Sequence, residues 1–230
     1  FGHALEAEAT KVIVANGGQV LGSARAPLNT SDFSSFLLQA QASKAQVVGL
    51  ANAGSDMTNS LKQANEFGLT DSGQSMAALL VNLPDIHALG LNSAKGLMFA
   101  DSFYWDLNDK TRAWSKRFMD RFNGKAPGSL QAAVYGAVTH YLKAVEATKS
   151  DDGSVVAQEM RKLPINDFYT VNGTIREDGR VLRDMYLLQV KQPSESKYAW
   201  DYYKVIATVP GDKAFRPLKD GNCPLVTAKE

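Results

Sequence analysis

An apolar run that passes through a loop of small residues into an amphipathic helix restricts a chain to a parallel α/β arrangement, and Ala45 to Leu69 has that form. Val47, Val48, Gly49, Leu50 and Ala51 suit a strand buried in a parallel sheet, and the residues before them, Lys44 to Gln46, are polar. Asn52-Ala53-Gly54-Ser55-Asp56 then opens a helix. Ser55 or Asp56 is its expected cap, and Met57, Leu61, Ala64 and Phe67 recur at helical spacing before Gly68 closes it. Ligands of open α/β sheets bind at the loops beyond the strands' carboxyl ends. Asn52, an amide among small residues, is therefore the first candidate ligand contact, and an ordinary βα turn is the alternative.

The remaining elements keep the same alternation. Gly2 to Ala15 reads as a helix with Ala4, Leu5, Ala9, Val12 and Ile13 on one face, ended by Asn16-Gly17-Gly18. Gln19 to Ser23 reads as a short strand, and Phe33 to Ser43 as a helix capped by Thr30 or Ser31, with Phe36, Leu37 and Ala40 inward. Helix, strand, helix, strand, helix is the doubly wound pattern. Met76 to Val81 and Gly96 to Ala100 are two more strands. Asn82 and Asp85 leave the first of these, and Phe103-Tyr104-Trp105 leave the second. Neighbours on an extended chain alternate faces, so at least one of those aromatics is expected to line a groove or an interface, where flat faces with polar tips suit an amphipathic molecule.

From Asp109 the pattern turns helical. Lys110 to Phe122 carries Trp114, Phe118 and Phe122, and Leu130 to Thr148 carries Ala133, Val134, Ala137, Tyr141, Leu142 and Val145. Ser154 to Leu163 makes a third helix. After Pro164 the chain reads as β: Phe168 to Thr174, an Asp178-Gly179 turn, Val181 to Lys191, and Tyr198 to Val209. The polar tail Pro210 to Glu230 is expected to wrap the surface.

Composition excludes several classes. With 230 residues the chain is long enough for one large α/β domain or two modest lobes. A net charge of +1, with acids and bases interspersed, gives no footprint for nucleic acid or an anionic membrane. No apolar stretch is long enough to span a bilayer, and these residues include no charged-apolar-small leader. The abrupt start at Phe1-Gly2-His3 suggests a fragment or a trimmed chain, which leaves room for a leader upstream. Cys223 is the single cysteine, so no disulfide forms within these residues. It reads as a small apolar residue, with pairing to a cysteine outside this sequence as the alternative.

Catalytic signatures are absent from the sequence. Neither glycine-rich phosphate loop occurs, and His3, His87 and His140 are far apart with no metal-ligand spacing. Asp85 and His87 could pair as orienter and base, but no G-x-S-x-G elbow accompanies them. The expectation is no catalytic residue, no metal and no cofactor.

Taken together, Phe1-Gly2-His3-Ala4-Leu5, Asp32-Phe33-Ser34-Ser35, the Asn52 to Leu69 segment, Phe103-Tyr104-Trp105-Asp106-Leu107-Asn108, and Asp178-Gly179-Arg180 with Tyr186-Leu187-Leu188-Gln189-Val190-Lys191 resemble type I periplasmic solute-binding proteins. The nearest branch is the leucine/isoleucine/valine-binding family of ABC importers, and the resemblance runs to about Val209. It implies an α/β fold of two doubly wound lobes joined by crossovers, with the solute trapped in an interlobe cleft and the first lobe incomplete here. On that basis residues 1–103 belong to the second lobe, 104–165 are helices of the first, 166–209 return to the second, and 210–230 form the tail. The missing N-terminal part of the same protein would supply the other cleft wall.

The resemblance also implies site residues. Phe1 matches a cleft tyrosine of the amino-acid binders, and Asn52-Ala53 matches another aromatic contact. With Asn82, Phe103, Tyr104 and Trp105 these complete the expected ligand-binding set. Amino-acid binders place a glutamate after the next strand to pair with the substrate ammonium, whereas Leu79 to Leu83 offers no acid. A buried ammonium without a partner is strongly disfavoured, so an aromatic carboxylate suits the neutral lining better than a free amino acid. The implied function is an extracytoplasmic, periplasmic receptor that delivers a small organic solute to an ABC permease in the membrane and performs no chemistry. A ligand-sensing domain of the same fold is the second reading, and a Rossmann-like enzyme the third.

Overall fold

The apolar run Val47–Leu50 is a strand and the helix after it spans Gly54–Glu66 in the computed structural model, which describes residues 1–224 and 226. In chain order the first elements are α1 (Gly2–Ala15), α2 (Ser34–Ala42), β1 (Val47–Leu50), α3 (Gly54–Glu66), β2 (Ser75–Ala78), α4 (Leu83–Leu89), α5 (Leu91–Ala94) and β3 (Met98–Asp101). Next come α6 (Asp109–Met119), α7 (Ser129–Thr148), α8 (Gly153–Lys162), β4 (Thr174–Ile175), β5 (Val181–Leu182), β6 (Met185–Val190), β7 (Tyr203–Val209) and α9 (Gly211–Ala214). Contacts divide the chain into two units. Unit 1 is Phe1–Ala100 with Leu187–Ile206, and unit 2 is Asp101–Tyr186 with Ala207–Glu230. The changes fall at 101, 187 and 207, whereas the sequence reading set them at 104, 166 and 210.

The strands of unit 1 belong to a five-stranded sheet of order β1-β2-β3-β6-β7. β1, β2 and β3 are parallel, with Leu50 opposite Ala78 and Ala78 opposite Phe99, so their carboxyl ends lie on one edge. α3 turns Met57, Leu61 and Ala64 into the core, while Phe67 stays exposed. Gly68, at φ +67°, takes the left-handed conformation that ends the helix without a Cβ clash. Ser55 and Asp56 do not cap α3, which starts beyond Ala53; Asp56 instead accepts from the Asn29 amide at 3.1 Å. At α2 the early amide of Ser34 is met by Asp32 at 2.9 Å, in place of Thr30 or Ser31.

One expectation in unit 1 fails. Gln19 to Ser23 forms no strand, and Val20 and Leu21 are exposed. A strand needs a neighbour to take its backbone hydrogen bonds, and no described strand pairs there. α1 forms as read, but none of its residues is fully buried.

In unit 2, α6 is set by Asn108, whose Oδ1 accepts from the amides of Lys110 (3.0 Å) and Thr111 (3.1 Å). α7 presents the opposite face from that expected: Ala132, Gly136, His140 and Ala144 are buried, and Val134, Tyr141 and Leu142 are exposed. Small side chains one turn apart let α8 and the segment after it approach closely. A Cβ on Gly136 would lie 3.2 Å from an Asp167 oxygen. His140 is buried with a ring nitrogen 2.9 Å from the Met160 carbonyl. The Asp178-Gly179 turn joins an antiparallel pair, β4 with β5, shorter than expected. Val181 to Lys191 is two strands, broken at Arg183-Asp184, where Asp184 accepts from the Gly211 amide at 3.0 Å. Of the tail, Leu225 and residues 227–230 lie outside the described residues.

Candidate functional site

The carboxyl-end rim of unit 1 gathers Phe1, Asn52, Ala53 and Asn82. Ala53 is the extended residue just before α3, and Asn52 precedes it, two residues past β1. The Asn52 amide donates to Ser60 Oγ at 2.8 Å, and Ser60 Oγ donates to the Asp56 carbonyl at 2.6 Å. Since the one hydroxyl proton of Ser60 goes to Asp56, the nitrogen of Asn52 must face Ser60. Asn52 Oδ1 is then buried with no hydrogen-bond partner among the described residues. A buried acceptor left unmet is costly, so this atom is suited to an N–H or O–H brought by a guest.

Phe1 precedes α1, and its carbonyl accepts from the amides of Ala4 (3.0 Å) and Leu5 (3.2 Å) while its side chain is 69 % exposed. A Cβ on the next residue, Gly2, would lie 2.8 Å from the Ala51 carbonyl oxygen, so the start of α1 meets the end of β1. Asn82 begins α4, where its backbone amide (2.9 Å) and side-chain amide (3.3 Å) both donate to Asp85. That pairing engages Asp85 in the helix start. His87 turns elsewhere: its Nδ1 lies 2.7 Å from the Tyr202 hydroxyl and its ring stacks on Trp200 at 4.0 Å.

The aromatic trio belongs to unit 2. Phe103 is 2 % exposed, packed edge-on against Trp114 (5.9 Å), Phe168 (6.2 Å) and Tyr169 (5.8 Å). Tyr104 is 4 % exposed, and Trp105 is half-buried with its ring 6.1 Å from that of Tyr104. Alternation of faces does not apply because the chain leaves the extended form at Asp101 and turns, the Leu107 amide donating to the Tyr104 carbonyl at 3.1 Å. Phe103 thus packs within the core of this unit, Tyr104 is buried, and Trp105 is half-buried. Burial raises the Asp101 carboxyl to about 6, against hydrogen bonds from Ser129, Ser102 and Phe103 that favour its charged form.

Unit 2 also holds a cavity of about 590 Å³, lined in part by Ser102, Tyr169, Arg183, Met185, Phe215 and Cys223. Arg183 sits 3.9 Å from the centroid of the Tyr169 ring, and the Tyr169 hydroxyl is 2.6 Å from Ser102 Oγ. Burial pushes the Tyr169 phenol above its ordinary value. Sequence reasoning missed this cluster: its only trace is an arginine in the β-patterned run Val181 to Lys191, where charged residues are ordinary. Cys223 is a free, half-buried thiol. Among the described residues no three His, Cys, Asp or Glu side chains are grouped to hold a metal, and no helix is long and apolar enough to cross a membrane.

A family model described as periplasmic binding protein matches residues 1–197. No curated protein sequence matches the chain. Among solved structures, a periplasmic binding protein from Burkholderia mallei is 52 % identical with a TM-score of 0.91, over 99 % of this chain and 60 % of its own. A branched chain amino acid ABC transporter periplasmic ligand-binding protein from Burkholderia xenovorans is 37 % identical with a TM-score of 0.84, over 97 % of this chain and 66 % of its own. An ABC transporter solute-binding protein from R. palustris, solved in complex with 4-hydroxybenzoate, shares the fold with a TM-score of 0.75 at 21 % identity, over 90 % of this chain and 56 % of its own. The chain therefore spans less than two thirds of the length of each.

Proposed function

We propose that this chain, which belongs to the periplasmic binding protein family, is part of a periplasmic receptor that captures a small organic solute, delivers it to the permease of an ABC importer and leaves it chemically unchanged. The family consists of substrate-binding proteins of transporters, with the type I fold that the sequence led us to expect. On this reading unit 1 is most of the second lobe and unit 2 contributes to the first.

The observation that carries the reading is Asn52 Oδ1, a buried acceptor without a partner among the described residues, in the loop at the carboxyl end of a parallel strand. Phe1 supplies an apolar wall, Ala53 leaves room, and Asn82 follows the neighbouring strand. Asn52 calls for a guest with a hydrogen-bond donor. Among the described residues the loop after β2 offers an ammonium no free acid, because Asp85 is engaged by Asn82. An aromatic carboxylate bearing a hydroxyl supplies the donor that Asn52 calls for, and the R. palustris relative's 4-hydroxybenzoate is such a molecule.

Isothermal titration of the full-length protein with 4-hydroxybenzoate, benzoate and leucine tests this. 4-Hydroxybenzoate is expected to bind more tightly than benzoate, and Asn52→Ala to weaken it by about tenfold, the size of one buried hydrogen bond. No binding by any member of a broad panel of aromatic acids and amino acids would overturn the proposal.

A further inference from the structure

The cavity in unit 2 plays no part in the reading above, and its assignment does not rest on it. Ala133, Val181, Met185 and Phe215 give it apolar surface, and Arg183 stands among them. The guanidinium lies against the face of Tyr169, whose hydroxyl is tied to Ser102 and so holds the ring in place. Contact with a ring face leaves the in-plane N–H donors of an arginine to find acceptors elsewhere. Nη1 of Arg183 is buried and has no hydrogen-bond partner among the described residues. The acid on the cavity wall, Asp178, is already committed to Arg176 through bonds of 2.9 and 2.7 Å. Arg180 and Arg216 also line the space, so the balance of charge around it is positive.

Arg183 is half-buried with one buried donor unmet, and the space it borders has the size of a small-ligand pocket. The geometry points to this cavity as a binding site for a small organic acid, its carboxylate on Arg183 and its apolar body against Met185 and Phe215. A carboxylate fits the planar fork of the guanidinium. Inorganic phosphate fits less well, because the apolar walls would strip its oxygens of water without replacing those bonds.

The test tracks the Arg183 Nε–Hε resonance of the 15N-labelled full-length protein, assigned by its loss in Arg183→Lys. Sodium benzoate is the probe and benzyl alcohol the neutral control. A saturable shift with benzoate and none with benzyl alcohol is expected. Arg183→Met should weaken benzoate binding at this site by about ten- to hundredfold, the range for a hydrogen bond to a charged group. Arg183→Lys keeps the charge without the fork and should fall between the two. An unchanged thermal melt of either variant shows that folding is intact. An Arg183 resonance that benzoate does not move overturns the inference, including the case where the protein's own chain fills the cavity. Benzoate binding, followed by isothermal titration, that is lost in Asn52→Ala but kept in Arg183→Met would place the acid at the rim, sinking this inference and leaving the proposed function standing.

Discussion

Lys191 and Asp201 form an ion pair inside unit 1, with Asp201 only 1 % exposed. The other carboxylate oxygen of Asp201 accepts from the Lys197 amide at 3.0 Å, so both oxygens are engaged. Removing one partner leaves the other charge buried and alone. Asp201→Ala is expected to destabilise the protein by about 3–5 kcal/mol, while the joint replacement Lys191→Met with Asp201→Leu should lose much less. Urea denaturation of both variants measures the contrast; equal losses would show that the pair acts through packing alone.

Asp101 makes stability depend on pH. Its carboxyl is raised to about 6 in the folded protein, so the folded state holds the proton more tightly than the unfolded chain does. The contribution is complete below about pH 4, where the unfolded carboxyl is also protonated, and is lost as pH rises through about 6. A gap of ~2 pH units corresponds to at most ~3 kcal/mol. Asp101→Asn should therefore gain on the parent between pH 4 and pH 7. A stability difference that stays flat across that range would contradict the buried placement of this carboxyl.

Phe103 tests packing against binding. Its ring sits edge-on to Trp114, which in turn stacks on Phe168 at 4.2 Å. Phe103→Ala is expected to cost about 3–5 kcal/mol, and Phe103→Leu less. Because the ring is enclosed, Phe103→Leu should leave 4-hydroxybenzoate affinity nearly unchanged while altering the near-ultraviolet circular dichroism of Trp114. A large loss of affinity in that variant would return Phe103 to the solute's surroundings.

Much of the fold was legible because large apolar residues recur at the period of the element that buries them, as Met57, Leu61 and Ala64 do along α3. The same rule misled at α7, where the inward face is Ala132, Gly136, His140 and Ala144. Close helix approach selects small side chains, and a reading by hydrophobic size chooses the wrong side. Gln19 to Ser23 carries the adjacent apolar pair Val20-Leu21 that a short strand can bury, yet a strand is a property of two segments and the sequence shows one at a time. Within the candidate sites, Asn52 stood out because small residues flank an amide after an apolar run. Arg183 did not, because its unmet donor arises from Tyr169 and Ser102, which lie far from it along the chain.

The parallel strands β1, β2 and β3 are held by backbone bonds, while the side chains proposed to meet a guest, Asn52 and Asn82 among them, stand on the loops past β1 and β2. Framework and preference are thus written in different residues. A lineage carrying this rim can exchange the loop residues beyond β1 or β2 and acquire a taste for another molecule, with the ladder beneath undisturbed. Relatives built on one backbone are in that sense free to diverge in diet before they diverge in shape.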